Sequence, residues 1–103
     1  MTPPLAIFRA LADATRLRLF ALVRRGELSV GELAQVLGQS QPRVSRHVKI
    51  LADAGLLERR KEGSWVFVAL GRPAVVEPVA AALDGWSTPD HWAVADAARL
   101  EAV

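Results

Sequence analysis

The stretch from Ser40 to Leu57 constrains this chain more than any other, because both ends of a helix are written into it. Ser40 is a good N-cap, and Pro42 falls in the first turn, where a missing N–H costs nothing. Gly55 sits where a left-handed residue closes a helix. Between them Val44, Val48 and Leu51 recur at i, i+4 and i+7 and form one apolar stripe. Pro42, Ser45, Arg46, Lys49 and Asp53 face the other way, with Gln41, Arg43 and His47 towards the flanks. A polar helix face is ordinarily just a solvated one. Here the first two turns carry Ser, Gln, Arg, Ser, Arg and His, all able to donate to phosphates or base edges, and no acid precedes Asp53. A helix anchored by one stripe, with donors at its N-terminal end, can be pushed into a major groove.

The segment before it is a second signposted helix. Ser29 and Glu32 are spaced as a capping box, and Leu28 and Leu33 stand at the staple positions around it. Val30, Leu33, Ala34 and Leu37 make its apolar face, and Gly38 stops it. Only residues 38–40 separate the two helices, so the pair reads as a helix-turn-helix.

Upstream, Asp13 can cap a helix over 14–25 that Gly26 terminates. Leu17, Phe20 and Ala21 make one face, and Leu19, Leu22 and Val23 widen it nearly all round, which predicts a central, buried helix. Arg16, Arg18, Arg24 and Arg25 are its polar remainder and read as solvated ends. Before it, residues 5–11 form a short helix with Leu5, Phe8 and Leu11 in register and Ile7 off that stripe. Such a helix needs cover from its own domain or from a second subunit.

Downstream, residues 56–61 and 64–70 flank Glu62-Gly63, a turn with glycine at the positive-φ position. Trp65, Phe67 and Ala69 alternate with Val66, Val68 and Leu70, the period of a strand with an aromatic face. The first run ends in Arg59-Arg60-Lys61. A basic hairpin after a helix-turn-helix is the wing of a winged helix, placed to grip phosphates or a minor groove. The plainer reading is a solubilising charge cluster on an edge strand.

After Arg72 the chain becomes Ala-rich and acidic. Pro73 suits a helix start, and Pro78 allows either one bent helix over 74–83 or two short ones. Residues 85–89 read as a linker, and Ser87 or Thr88 caps a last helix carrying Ala93, Ala97, Leu100 and Val103.

Charge follows the same division. The net charge is +2 over 103 residues, but residues 1–72 hold 12 of the 13 Lys and Arg and 6 of the 11 acids. A basic body with an acidic tail favours a polyanionic partner for the first part. The length suits one domain with a modest core. There is no apolar run long enough to span a membrane and no visible secretory signal, so a cytoplasmic protein with no membrane partner is expected. With no cysteine there are neither disulfides nor thiolate ligands.

Residues 8–19 (Phe-Arg-Ala-Leu-Ala-Asp-Ala-Thr-Arg-Leu-Arg-Leu), 26–34, 40–51 and 54–60 (Ala-Gly-Leu-Leu-Glu-Arg-Arg) together resemble the ArsR/SmtB family of bacterial winged-helix repressors. The likeness covers about residues 5–72, in order and spacing. It implies a homodimer formed by the first and last helices of the domain, which would place Leu5, Ile7, Phe8, Val76, Val79 and Leu83 at the interface. It also implies binding to an inverted-repeat operator in double-stranded DNA, and release by an inducer. Carried over by position, the DNA contacts would be Ser40, Gln41, Arg43, Ser45, Arg46, His47 and Lys49, with Arg59, Arg60 and Lys61 on the wing.

The chain departs from the family at its metal sites. Ser29 and Gly31 stand where the metal sensors often carry two cysteines. Glu77, Asp84, Asp90 and His91 lack the His-rich spacing of the C-terminal site, and His47 has no neighbouring ligand set. No metal and no cofactor is therefore expected. Nor is an enzyme: there is no cysteine nucleophile, Gly-rich phosphate loop or His-Glu metal pair, and Ser45 is too close to His47 along one helix for the imidazole to face it as a base.

The expected fold is mainly α with a small β-hairpin, a winged helix-turn-helix in the order α-α-α-α-β-β-α-α. Residues 1–84 would be the DNA-binding domain with its dimerisation helices, and 85–103 a linker and C-terminal helix. The function expected is a DNA-binding repressor. The rival is a winged helix used for protein contacts, or as the regulatory module of a larger protein. The running helix at 93–103 raises the expectation that the polypeptide continues, and its ending resembles proteins in which an ArsR-like domain precedes a methyltransferase. A small repressor with a frayed last helix is the alternative.

Overall fold

The computed structural model describes residues 3–86 and 91–103, with the backbone alone for His91 and Trp92. Its elements are α1 (Pro4–Leu11), α2 (Ala14–Val23), β1 (Leu28–Ser29), α3 (Val30–Leu37), α4 (Gln41–Asp53), β2 (Leu57–Glu62), β3 (Trp65–Leu70), α5 (Pro73–Trp86) and α6 (His91–Glu101). The winged helix-turn-helix is therefore present, with one more strand than expected. Leu28 pairs with Val68 and Ser29 with Phe67, so the sheet is three-stranded and antiparallel in the order β1-β3-β2.

Local chemistry sets the boundaries. The Asp13 carboxylate accepts the Arg16 N–H at 3.1 Å and starts α2. At α3 the capping box is complete: Ser29 Oγ accepts the Glu32 N–H, and Glu32 Oε1 accepts the Ser29 N–H. Gly38 ends α3 at φ 66, a left-handed conformation that glycine adopts without Cβ crowding. Ser40 then caps α4 by accepting from the Arg43 N–H. The helix-turn-helix is written locally, in caps and stops.

Two boundaries are corrected, and one open alternative is decided. Helix α2 ends at Val23, and Arg24 and Arg25 belong to the turn before Gly26. Helix α5 is a single helix through Pro78, which is exposed, so the carbonyl left without its N–H partner can be solvated. It continues to Trp86, so residues 85 and 86 are helix and not linker. Ser87, Thr88 and Pro89, expected to cap and open the last helix, lie outside the described residues.

The core gathers the apolar faces of the middle helices. Leu19 and Phe20 of α2, Leu33 of α3, and Val44, Val48 and Leu51 of α4 are fully buried with Leu56 and Val68. Each such side chain stabilises the fold by about 1.5–3 kcal/mol. The stripe on α4 is thus anchored along its whole length, and its opposite face is left to solvent. At the other end of α4, Gly55 and Gly71 bring two backbones together. The Leu56 carbonyl accepts the Gly71 N–H and the Gly55 carbonyl accepts the Arg72 N–H, both at 3.0 Å. A Cβ on Gly71 would fall on the carbonyl oxygen of Gly55, so only glycine fits.

Helix α6 packs against α2 and α3. Asp96, on α6, is buried and takes both Arg18 nitrogens at 2.8 Å, with Arg99 Nη1 at 3.3 Å. Arg24 makes a second two-bond pair with Asp84 of α5, an exposed contact in which each partner strengthens the other's charge: the Arg24 pKa is raised and that of Asp84 lowered. Arg16 donates to the carbonyls of Ala10 and Arg9 at the end of α1. Three arginines read as solvated ends are therefore ties: Arg16 and Arg18 bind α2 to α1 and α6, and Arg24 binds the turn after α2 to α5.

Candidate nucleic-acid interface

The polar face of α4 stands on the surface opposite its buried stripe, and residues 40–43 of its capped first turn are exposed. Gln41, Arg43, Ser45, Arg46 and Lys49 are exposed. Arg43 and Arg46 make no ion pair with any described residue, so both guanidiniums are available to a partner. Lys49 is less so, since its ammonium binds Asp53 at 2.8 Å one turn on. This hydrogen bond to Lys49 is the main reason the Asp53 pKa is lowered. Ser40 uses its hydroxyl as the cap.

His47 departs furthest from its expected place. It is half-buried, and its Nδ1 lies 3.2 Å from Arg16 Nη1 on α2. A guanidinium can only donate, so Nδ1 accepts and the neutral ring carries its proton on Nε2. Burial, more than any neighbouring charge, lowers the His47 pKa. The ring therefore ties α4 to α2, and it reads as a positioning group more than a contact to bases.

The wing also divides its cations. In β2 successive side chains point to opposite faces. Arg59 and Lys61 pair with Val68 and Val66, on the face that carries the core residue Val68. Arg60 pairs with Phe67 on the other face, where its guanidinium lies 5.0 Å from the Phe67 ring centroid. It also binds Glu27 at 2.8 Å and is paired with Glu62. These two carboxylates raise the Arg60 pKa. The three consecutive cations are consequently two open ones, Arg59 and Lys61, and one engaged.

A cleft of about 230 Å³ separates the start of α4 from the wing. It is lined by Gln41 and Ser45 from the helix and by Ser64 and Trp65 from the turn and β3. Trp65 is 60% exposed and its ring stacks on Phe67 with centroids 6.5 Å apart. Periodicity shows Trp65 only as part of an aromatic strand face. Its signal as a site residue is position: the first residue after the turn, aromatic, and followed by a strand whose other face is buried.

The residues assigned to a dimer interface fall into two groups. Leu5 and Phe8 are exposed, at 59% and 63%. Ile7, Val79 and Leu83 are partly buried against the chain's own core, and Val76 lies within that core at 7% exposure. Val76 is therefore not on an interface surface. Among the described residues no group of three or more His, Cys, Asp or Glu is placed to hold a metal ion. No described helix is long and apolar enough to cross a membrane.

Known proteins carry the same arrangement. A family described as a helix-turn-helix domain matches residues 5–60. The arsenic resistance transcriptional regulator ArsR1 of Pseudomonas putida is 44% identical over 102 residues, covering 97% of this chain and 78% of its own length. The arsenical resistance operon repressor of Escherichia coli is 47% identical over 68 residues, and the match spans 65% of this chain and 58% of that protein. Among solved structures, HlyU from Vibrio cholerae superposes with a TM-score of 0.70 at 32% identity, over 80% of this chain and 89% of that one. The transcriptional repressor BigR from Xylella fastidiosa does so at 0.68 and 28%, over 82% and 87%. These relatives are regulators and lend no support to a methyltransferase fusion. With the helix-turn-helix model matched over residues 5–60 and an arsenic resistance regulator matched over nearly the whole chain, the chain belongs to the ArsR family of helix-turn-helix transcriptional regulators.

Proposed function

We propose that this regulator is a cytoplasmic homodimeric repressor that reads an inverted-repeat operator with α4 and grips the flanking backbone with its wing. The observation that carries this reading is the pair Arg43 and Arg46, exposed and without ion pairs among the described residues, on a helix whose other face is locked in the core. Arg46 is suited to a guanine edge, which a guanidinium meets with two hydrogen bonds. Gln41 and Ser45 line the cleft towards the wing, and Arg43 lies on the other flank, near His47. Arg59 and Lys61 supply phosphate contacts that hold register without reading sequence.

The dimer would use the exposed Leu5 and Phe8 of α1 with the outward side of α5. A two-fold axis then calls for half-sites about one helical turn apart. Relatives are named for arsenic resistance, but these 103 residues contain no cysteine. The signal proposed for these residues is therefore one recognised without thiolates.

Fluorescence anisotropy with genomic fragments, titrated at two salt concentrations, tests the reading. A small set of fragments should bind far more tightly than bulk DNA, and binding should weaken steeply with salt. Equal affinity for every fragment, or none, overturns it in favour of a protein-docking winged helix. Ultracentrifugation showing a monomer at tens of micromolar would overturn the dimer.

A further inference from the structure

Helices α2 and α6 pack together through Arg18 and Asp96 but leave a gap beside that pair. Between them lies a cavity of about 230 Å³. Leu17 and Ala21 of α2 form one wall, Ala93 and Ala97 of α6 the other, and the buried Asp96 sits beside them. Alanines stand where longer side chains would interdigitate, which leaves the gap. Arg25 lies at the edge of the same space. It is exposed and forms no ion pair with a described residue.

We propose that this slot is a binding site for a small amphipathic carboxylate, its apolar body between the alanine walls and its carboxylate on Arg25. Size is the first argument. An apolar protein cavity of about 150 Å³ holds benzene, so the slot has room for a ring and a short acid arm. The second is charge. Asp96 and Arg18 satisfy each other through two bonds at 2.8 Å, and Arg99 adds a third to Asp96. Among the described residues the charge left over at the slot is the Arg25 guanidinium, which selects an anion and offers it a two-pronged donor. The third is placement. Helix α2 contacts both α6 and α4, so the ligand is seated one helix away from the reading face. Binding here needs no operator, and its failure would leave the DNA-binding reading intact.

The probes are phenylacetate and its neutral near-isostere phenylacetamide, titrated into the intact chain and followed by amide chemical shifts and calorimetry. Phenylacetate should move the amides of α2 and α6 around Ala21 and Ala97 and bind about tenfold more tightly than the amide. Arg25→Gln should erase that preference while leaving phenylacetamide binding unchanged. Ala97→Leu should fill the slot and abolish both. If that variant does not fold, Ala21→Leu blocks the opposite wall. The proposal is overturned if phenylacetate produces no saturable shifts at millimolar concentration, if the shifts map elsewhere, or if a folded slot-filling variant binds as well as the original.

Discussion

Arg16 on α2 holds His47 on α4 through a 3.2 Å contact between Nη1 and Nδ1, so a scaffold side chain fixes a side chain of the second helix of the helix-turn-helix. Burial keeps the His47 pKa below 6.5, with Arg16, Arg43 and Arg46 adding to the shift and Asp13 opposing it. Protonation would place a cation against a guanidinium.

The pH dependence follows from that direction. Between the lowered folded pKa and the unfolded value the unfolded chain binds more protons, so stability rises with pH in that window. Stability is at its full value above about pH 6.5 and falls as pH drops through that point towards the folded pKa. Thermal melts from about pH 8 to about pH 5, where histidine titrates, should show a falling midpoint that flattens in His47→Gln. An identical slope in the variant would refute it.

Arg46 and the wing cations should fail differently. Arg46→Ala should lower affinity for the operator by about 1–3 kcal/mol while leaving bulk DNA binding nearly unchanged. The double variant Arg59→Ala/Lys61→Ala should weaken binding on every sequence and reduce the salt slope by about 0.9 for each phosphate no longer neutralised. Arg60→Ala should change that slope less than Arg59→Ala, because Glu27 and Glu62 already engage Arg60. Anisotropy at several salt concentrations separates the three.

Asp96→Ala should destabilise the fold by about 3 kcal/mol, the cost of leaving a largely buried arginine without its carboxylate. Arg18 and Asp96 are only 18% and 5% exposed at their side chains. The double variant Arg18→Leu/Asp96→Leu should recover most of that loss in urea melts. A double variant as unstable as the single would show that the damage lies elsewhere in α6.

Two glycines should answer to alanine with opposite signs. Gly71→Ala drives a methyl into the Gly55 backbone and should cost about 1–3 kcal/mol. Gly85 lies within α5, and a Cβ there meets nothing within 4 Å. Gly85→Ala should therefore stabilise by about 0.5–1 kcal/mol. Chemical denaturation of both variants decides this.

What is legible in the sequence is local. Ser29, Glu32, Gly38, Ser40 and Pro42 act within a turn or two of themselves, so the helix-turn-helix can be read residue by residue. The alternation from Trp65 to Leu70 reveals the hairpin for the same reason. The features that escape are contacts between distant segments. Nothing near Arg18 announces Asp96, 78 positions away. Two residues, Leu28 and Ser29, are too short a run to show a strand period, and their capping role masks the pairing. At the site, periodicity identifies the face of α4 but cannot tell which donors are already occupied. His47, Lys49 and Arg60 are visible as basic residues, whereas their partners become visible only in three dimensions.

The two-residue strand β1 also has a mechanical meaning. Ser29 pairs with Phe67 in the wing and, in the same residue, caps α3. The wing is thus geared to the helix-turn-helix through one residue, and in the binding mode proposed above the separation between groove and flanking backbone would be set by the protein as by a calliper. A duplex whose groove width does not match that setting must deform to be held. Sequences that bend cheaply would then be favoured even at base pairs that no side chain reaches.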